Sequence, residues 1–586
     1  MPTQTTSTGI PPTSLARLMV LVLPLLVAGL LRAAEDDHGT PAAWALMTAP
    51  GKGLRPGTRL AFGCPEATHN TDVLRRALAL VPDGGTLVIP PGYFDVEYLQ
   101  VVKRKNLTIS GSGMNRTTLR RKGFEWDCDT QGKCPIHTEI IHIRDSDGLV
   151  LRDLTLDGNS PHMGIKGNGA FDDQTGAIRS GCPQFPAFEG NSGFVMQAEG
   201  GRDVTVMRCR FENGFRWAVF FAGTDGLRIE RSVIDTGNLS TLFRGHRDQG
   251  GKIRHAHTSQ DGLHLVNCRR VQVLHNTIHS EDSGIAIEAN PWWGMKDGML
   301  SKDVEIAWND ISSGTPTNPA KVLRDRDAIY GTGLTEHYVG CGAIDIFYNE
   351  NWDTANKQDI SAFGRLNIHD NHLHHARGGI RVNCFTSVGP YGLDSWRHRI
   401  RDVRIVDTFP PQTAGHADQA RAGIDHITID DNPAVFNPNG GVGISIRNVD
   451  TLVVRGVDIT EVRGGIGIEI RKCTDFAIEG NRITGITGTN LSLNSPWPGG
   501  NGIRVENDPS VVRDPVFTAG VFAAGAWSIS NNRIGSTAAE RILVRCTGGR
   551  AQVRGNTDLN KQPLKPGDIV LIHSGDGPSS DSSKKK

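Results

Sequence analysis

Aromatic side chains are scarce, at 6% of 586 residues, while glycine reaches 70. That balance disfavours long helices and favours many short strands joined by turns. A charge of one sign is also missing. The 63 acidic and 63 basic residues cancel, so the chain lacks the usual electrostatic signature of a nucleic-acid binder. The 10 cysteines include no CxxC pair and no Cys/His cluster at zinc spacing. No DxDxDG calcium loop is present. No metal site is therefore expected from motifs. Long apolar runs are confined to the N-terminus, where Arg17 precedes LMVLVLPLLVAGLL and the small residues Ala33 and Ala34 follow. That run of about 14 residues is short for a membrane span. Residues 1–34 read as an export signal. The mature protein is expected to be periplasmic or secreted, monomeric, and without a membrane partner.

What the sequence does have is a repeat. A short strand of the form x–Gly–apolar–x–apolar recurs as SGFVM, DGLHL, SGIAI, GGIRV, VGISI, IGIEI and NGIRV. A second alternating run follows it, as in VQVLHNTI, VEIAWNDI and WSISNNRI. SGIAI begins 22 residues after DGLHL, and IGIEI begins 24 after VGISI. Alternation at period 2 excludes helical repeats, and the cycle is too short for a four-stranded propeller blade. The expected fold is all-β: a single-stranded right-handed parallel β-helix, a solenoid whose coils stack at about 4.8 Å.

Asn276, Asn309, Asn371, Asn481 and Asn532 recur two residues before an Ile or Leu. Asparagine tolerates a left-handed bend, and stacked amides can bond along the axis. At the start, TDVLRRALALVPDGGTLVIPPGYFDV reads as an amphipathic helix, a turn and a first strand. The helix would cap the open end of the coil. This opening resembles that of pectate-lyase-like β-helix proteins, and the resemblance extends from Asn70 to His573. The organisation expected is a signal at 1–34, an extension at 35–69, the β-helix at 70–573 and a disordered tail at 574–586. Cys128 and Cys134 could close a small loop, whereas Cys268, Cys473 and Cys546 follow strands and are expected in the core.

The residue between the two apolar positions should point outward. Aligned coils give one outward row of His142, Val195, Phe220, His264, Ala286, Asp345, Arg381, Ser445, Glu469 and Arg504. A second row runs through Arg144, Gln197, Ala222, Val266, Glu288, Phe347, Asn383, Arg447, Arg471 and Glu506. Long insertions at Asn290–Asp303, Ser312–Gly342, Asn349–Gly364 and Phe385–Arg421 flank the middle of these rows and are expected to wall a groove. Trp292, Trp293, Trp352 and Trp396 lie in the insertions, where indole faces could stack on sugar rings. Arginines between Arg365 and Arg404 would suit carboxylate or sulfate groups.

Glycoside hydrolysis needs a proton donor and a base or nucleophile, and neighbouring coils bring carboxylates into range. Asp261, Asp282, Glu288 and Asp345 are the catalytic candidates. Substrate contacts are expected from His264, Glu281, Trp292, Trp293, Arg381 and Asn383. Ser259-Gln260-Asp261, Glu281-Asp282-Ser283, Gly340-Cys341-Gly342 and Arg381-Val382-Asn383 resemble the Asn-Thr-Asp, Asp-Asp, Gly-His-Gly and Arg-Ile-Lys ladder of polygalacturonases. The resemblance implies Asp282 as general acid, Asp261 as a holder of the attacking water and Arg381 as a ligand for a substrate carboxylate. Ser283, Cys341 and Asn383 depart from that pattern, and Glu288 or Asp345 would have to replace the missing base.

A lyase or uronate epimerase is the rival. It would need a base and a carboxylate neutraliser, drawn from His264, Lys296, Lys357, His369 and Arg381. A Ca²⁺ ion held by Glu281, Asp282, Glu288 and Asp297 would serve as well. The histidines of IHDNHLHH, at His369, His372, His374 and His375, read as hydrated turn residues. A non-catalytic glycan-binding or surface β-helix is the third reading. The partner in every case is a polysaccharide or oligosaccharide.

Overall fold

The structure, a computed structural model, describes residues 40–57, 64–122, 139–159, 194–214, 217–236, 261–280, 283–290, 300–313, 342–349, 363–376, 378–385, 400–407, 442–447, 449–463, 465–471, 473–486, 500–506, 526–536, 541–546 and 550–573. Short strands at 124–126, 163–165, 246–247, 253–254, 423–425 and 427–428 complete the set. The signal, the tail and the Cys128–Cys134 stretch lie outside the described residues.

Among the described residues three long sheets of 13, 13 and 12 strands run along the stack, and each central coil contributes one strand to each. The central coils run β1 (Leu263–Val266), β2 (Arg269–Leu274), β3 (Thr277–Ser280), β4 (Ile285–Ala289), β5 (Lys302–Ala307), β6 (Asp310–Ser313), β7 (Gly342–Asn349), β8 (Gly364–His369), β9 (His372–His374) and β10 (Gly378–Phe385). β1, β4, β7 and β10 belong to the first sheet, β2, β5 and β8 to the second, and β3, β6 and β9 to the third. Every pairing between successive coils in these sheets is parallel, as in Leu263↔Ile285, Val271↔Val304 and Ile278↔Ile311. The alternating apolar positions point inward from all three sheets. Leu263, Leu265, Val271, Val273 and Ile278 are almost wholly buried and join one continuous core.

The glycine of the repeated phrase has a steric cause. A Cβ on Gly262 would meet Gly284 O at 2.8 Å and Ile278 Cγ2 at 2.7 Å. The backbone of one coil thus comes too close to the next for any side chain at that point.

Helix α1 (Pro41–Thr48) and helix α2 (Ala67–Leu80) close the N-terminal end. Val73, Leu74 and Ala77 follow helical spacing and join the core with Leu87, Phe94 and Val96. The capping helix matches the sequence expectation. Helix α1 was not anticipated in the extension.

The asparagines form a column at the corner between the second and third sheets. Asn276 Nδ2 donates to Asn309 Oδ1 at 2.9 Å, and Asn309 Nδ2 to Asn371 Oδ1 at 2.9 Å. Asn481, Asn532 and Asn556 continue it in the same way. Asn556 was not read from the sequence. The left-handed bend is not on the asparagines, as expected, but on the residue before each. His275, Trp308, Asp370 and Asn531 have φ of 56°, 56°, 53° and 58°, and Gly480 and Gly555 take the same place in their coils. The amide is then free to reach along the axis, where it also receives the N–H of the preceding asparagine. Asn309→Ala leaves both neighbours short of a partner and is expected to cost about 2 kcal/mol, seen as a lower urea midpoint.

Cys268 and Cys473 are buried free thiols, as the sequence implies. Burial pushes the Cys268 thiol up to about 12.

Candidate functional site

The registers of the first sheet place most of the expected outward row in line: Phe220↔His264↔Ala286↔Asp345↔Arg381↔Ser445↔Glu469↔Arg504. One coil is corrected. His142 aligns with Gln197, not Val195, and Arg144 with Glu199, not Gln197. Val195 is an inward core residue.

The larger correction concerns exposure. These rows were expected to face solvent, yet His142, Gln197, Phe220, His264, Asp345, Ser445, Glu469 and Arg504 are all buried. Two causes are visible. Phe194, Trp217, Phe220, Ala222 and Val266 form a second apolar cluster outside the main core. The charged members neutralise one another. Burial alone would raise the Glu469 carboxyl, but Arg471, Arg447 and Arg504 around it bring it down to about 2.

At the centre of the row, Asp261 and Glu288 meet on one imidazole. Asp261 Oδ2 lies 2.6 Å from His264 Nδ1, and Glu288 Oε2 lies 2.9 Å from His264 Nε2. Burial opposes a charge on this ring, but the hydrogen bonds to Asp261 and Glu288 outweigh it and push His264 up to about 9. At neutral pH the ring is an imidazolium that donates from both nitrogens. The Trp217 indole stacks on it with centroids 3.9 Å apart. Asn290 Nδ2 donates to the other Glu288 oxygen at 2.9 Å.

The network continues to the next coil through Ser283. Its backbone N–H donates to Asp261 Oδ1 at 3.1 Å, and its hydroxyl donates to Asp345 Oδ2 at 2.6 Å. Asp345 also accepts from Gly342 N and from Arg381 Nη2, each at 2.8 Å. Carboxylates from three successive coils are thereby joined by one serine and one histidine. Ser283, Asn290 and Trp217 were missed in the sequence. Ser283 stands where the polygalacturonase-like ladder that the sequence resembles has an aspartate, and that departure was its available signal.

Placement limits what each residue can do. Asp261 and Glu288 lie on opposite sides of His264, so the ring occupies the gap that water would need between an acid and a base. Asp345 faces Arg381 along two nitrogens, and that face of the guanidinium is turned to Asp345 instead of outward. Glu281, Asp282, Trp292, Trp293, Lys296, Asp297, Trp352, Lys357, Trp396 and the side chain of Asn383 lie outside the described residues. His369 sits elsewhere, on the second sheet, against Asp370 at 2.8 Å and Glu305 at 3.3 Å.

A looser copy of the clamp occurs three coils earlier. His142 Nδ1 lies 3.3 Å from Glu139, three residues before it, and Nε2 lies 3.6 Å from Glu199 of the following coil. Burial again works against charge, yet the two glutamates bring His142 up to about 8. A histidine between two carboxylates is thus a device this sheet uses more than once. What distinguishes the His264 copy is its link through Ser283 to Asp345 and Arg381.

A shallow groove of about 530 Å³ lies on a different face, over the second sheet, lined by Asp203, Arg228, Arg270, Gln272, Glu305 and Arg365 among others. Its charges pair with one another, as in Arg270 with Asp225 at 2.7 Å and with Asp203 at 3.2 Å. Gln272 donates to Glu305 at 2.9 Å. Self-paired charges on an open face are the pattern of a solvated surface, so the first-sheet network is the stronger candidate.

Residues 359–558 match the family model described as a right handed beta helix region. The chain is a right-handed parallel β-helix. None of the curated proteins matches it. Among solved structures, this β-helix is similar to the mannuronan C-5 epimerase AlgE6 A-module of Azotobacter vinelandii, at 12% identity over 86% of this chain and 97% of that one, with a TM-score of 0.39. It is similar to an exopolygalacturonase from Thermotoga maritima at 11% identity over 81% and 84%, TM-score 0.36. The Agl-KA catalytic domain gives 14% over 86% and 69%, TM-score 0.43. Likeness at this level says nothing of the chemistry of the β-helix.

Proposed function

We propose that the chain is an exported enzyme that hydrolyses glycosidic bonds in a polysaccharide, an acidic one, on the outer face of the first sheet. The observation that supports this reading is the convergence of Asp261, Glu288 and Asp345, from three successive coils, on His264, Ser283 and Arg381. In every described contact these three carboxylates act as acceptors. The proton donor is therefore assigned to Asp282, the residue immediately before Ser283. Asp261 retains acceptor capacity beyond its two contacts and holds the attacking water. Glu288, His264, Asp345 and Arg381 form the charged floor around Asp261.

The lyase or epimerase reading is weakened by His264. A base for proton abstraction must be unprotonated, and this ring is held as imidazolium well past neutrality by Asp261 and Glu288.

Product analysis decides between the readings. Incubation with a panel of acidic and neutral polysaccharides is expected to release new reducing ends without the ultraviolet absorbance of an unsaturated uronate. Appearance of that absorbance would establish a lyase instead. No product from any acidic glycan would remove the proposal.

A further inference from the structure

Of the histidines of IHDNHLHH, His369, His372 and His374 are strand residues, and only His375 lies on the bend that follows, with φ of 49°. His372 and His374 lie on β9, which pairs with β6 in the register Asp310↔His372, Ile311↔Leu373 and Ser312↔His374. Ile311 and Leu373 enter the core. Alternation therefore sets Asp310, Ser312, His372 and His374 on the outer face of the third sheet.

We propose that Asp310, His372 and His374 form a binding site for one divalent transition-metal ion of the zinc class. Asp310 Oδ1 lies 2.7 Å from His374 Nε2 and 3.3 Å from His372 Nδ1. One ligand atom from each of the three falls within 4.8 Å of the other two. Ligands at about 2.0–2.1 Å from a tetrahedral ion stand roughly 3.3 Å from one another, so the side chains need only small rotations to close on it. The two imidazoles already stack, with centroids 4.4 Å apart at 17°.

The surroundings fit a ligand set. A metal-bound imidazole ordinarily anchors its other nitrogen on a neighbour. His374 presents Nε2 to Asp310 and Nδ1 to His375 Nδ1, 2.6 Å away. The histidines keep about a fifth of their side-chain surface exposed, at 20% and 21%, and Asp310 keeps 40%. Ion and water can enter, and water completes the coordination. Two imidazoles and one carboxylate favour zinc, nickel or cobalt over calcium, which takes oxygen ligands.

The site joins two coils across a long insertion, since His374 and Asp310 are 64 residues apart in sequence. An ion bound only by the folded chain would staple them and raise the melting temperature. This role is independent of any reaction on the first sheet.

The test uses the full-length chain without an affinity tag, stripped with a chelator and titrated calorimetrically with ZnCl₂ and, separately, CaCl₂. One zinc ion per chain is expected, at micromolar affinity or tighter, with calcium much weaker and the melting temperature rising with zinc. Asp310→Asn is expected to weaken zinc by about 10-fold or more, and His372→Gln/His374→Gln to abolish both binding and thermal shift. Unchanged affinity in the double variant would overturn the proposal, as would calcium binding as tightly as zinc. Should the double variant fail to fold, the stripped wild type is titrated with CoCl₂. Visible d–d absorption of nitrogen-ligated cobalt supports the site, and its absence overturns it.

Discussion

Asp282→Asn is expected to lower glycosidic cleavage by about two orders of magnitude or more, the usual loss when an acid–base group goes, with little change in melting temperature. Asp261→Asn is expected to lose as much activity for a mixed reason. The amide cannot hold a water as a carboxylate does, and it also weakens the grip on the buried His264 imidazolium. The His142 clamp separates the two effects. Glu139→Gln alters the equivalent residue of the earlier coil, so it is expected to perturb stability in a similar way while leaving the rate unchanged. Initial rates on the best polysaccharide, taken beside thermal melts of all three variants, give the answer. Near-native turnover in both aspartate variants would remove the catalytic assignment.

The second large effect is on stability against pH. The folded pKa of His264 is raised from 6.5 to about 9, so protonation favours the folded state. Its contribution is fully present below 6.5 and is lost as pH rises through about 9. Over that window the wild type is expected to lose roughly 3 kcal/mol that a His264→Gln variant does not lose. The variant starts less stable, because the buried carboxyls of Asp261 and Glu288 lose the ring that bridges them. Urea melts at several pH values should therefore converge as pH rises. Parallel curves would mean that the ring is neutral between its two carboxylates. His142 titrates in the same direction, and because it is present in both proteins its effect cancels.

The course of the coil was legible because three independent signals agreed. Alternation gave strands, the glycine gave the close approach of neighbouring backbones, and the asparagine column gave the corner. The slip at Val195 has a simple origin. The strand of that coil begins only at Met196, so the alternation read through SGFVM does not extend to Val195, which turns into the core. Burial of the outward row was harder to read, since it depends on what packs over the sheet. Phe220, Ala222 and Val266 in those rows carried the warning. Asp261, His264 and Glu288 were all recognised as site residues, but the placement of the ring between the two carboxylates was not, because Glu288 comes from the next coil. Asp310 and His374 were likewise joined only by the register of β6 and β9.

The asparagine column also determines where this protein can change. In the coils that carry the asparagines the corner it occupies has a two-residue form, such as His275-Asn276, Trp308-Asn309 or Asp370-Asn371. Lengthening the chain there would break the amide line above and below at once. Most of the long departures from the repeat fall instead at the two corners bordering the first sheet, with residues 407–422 the exception between the second and third sheets. New recognition elements can be grafted there without disturbing the stack, so specificity can diversify on one flank while the opposite edge keeps its line of amides.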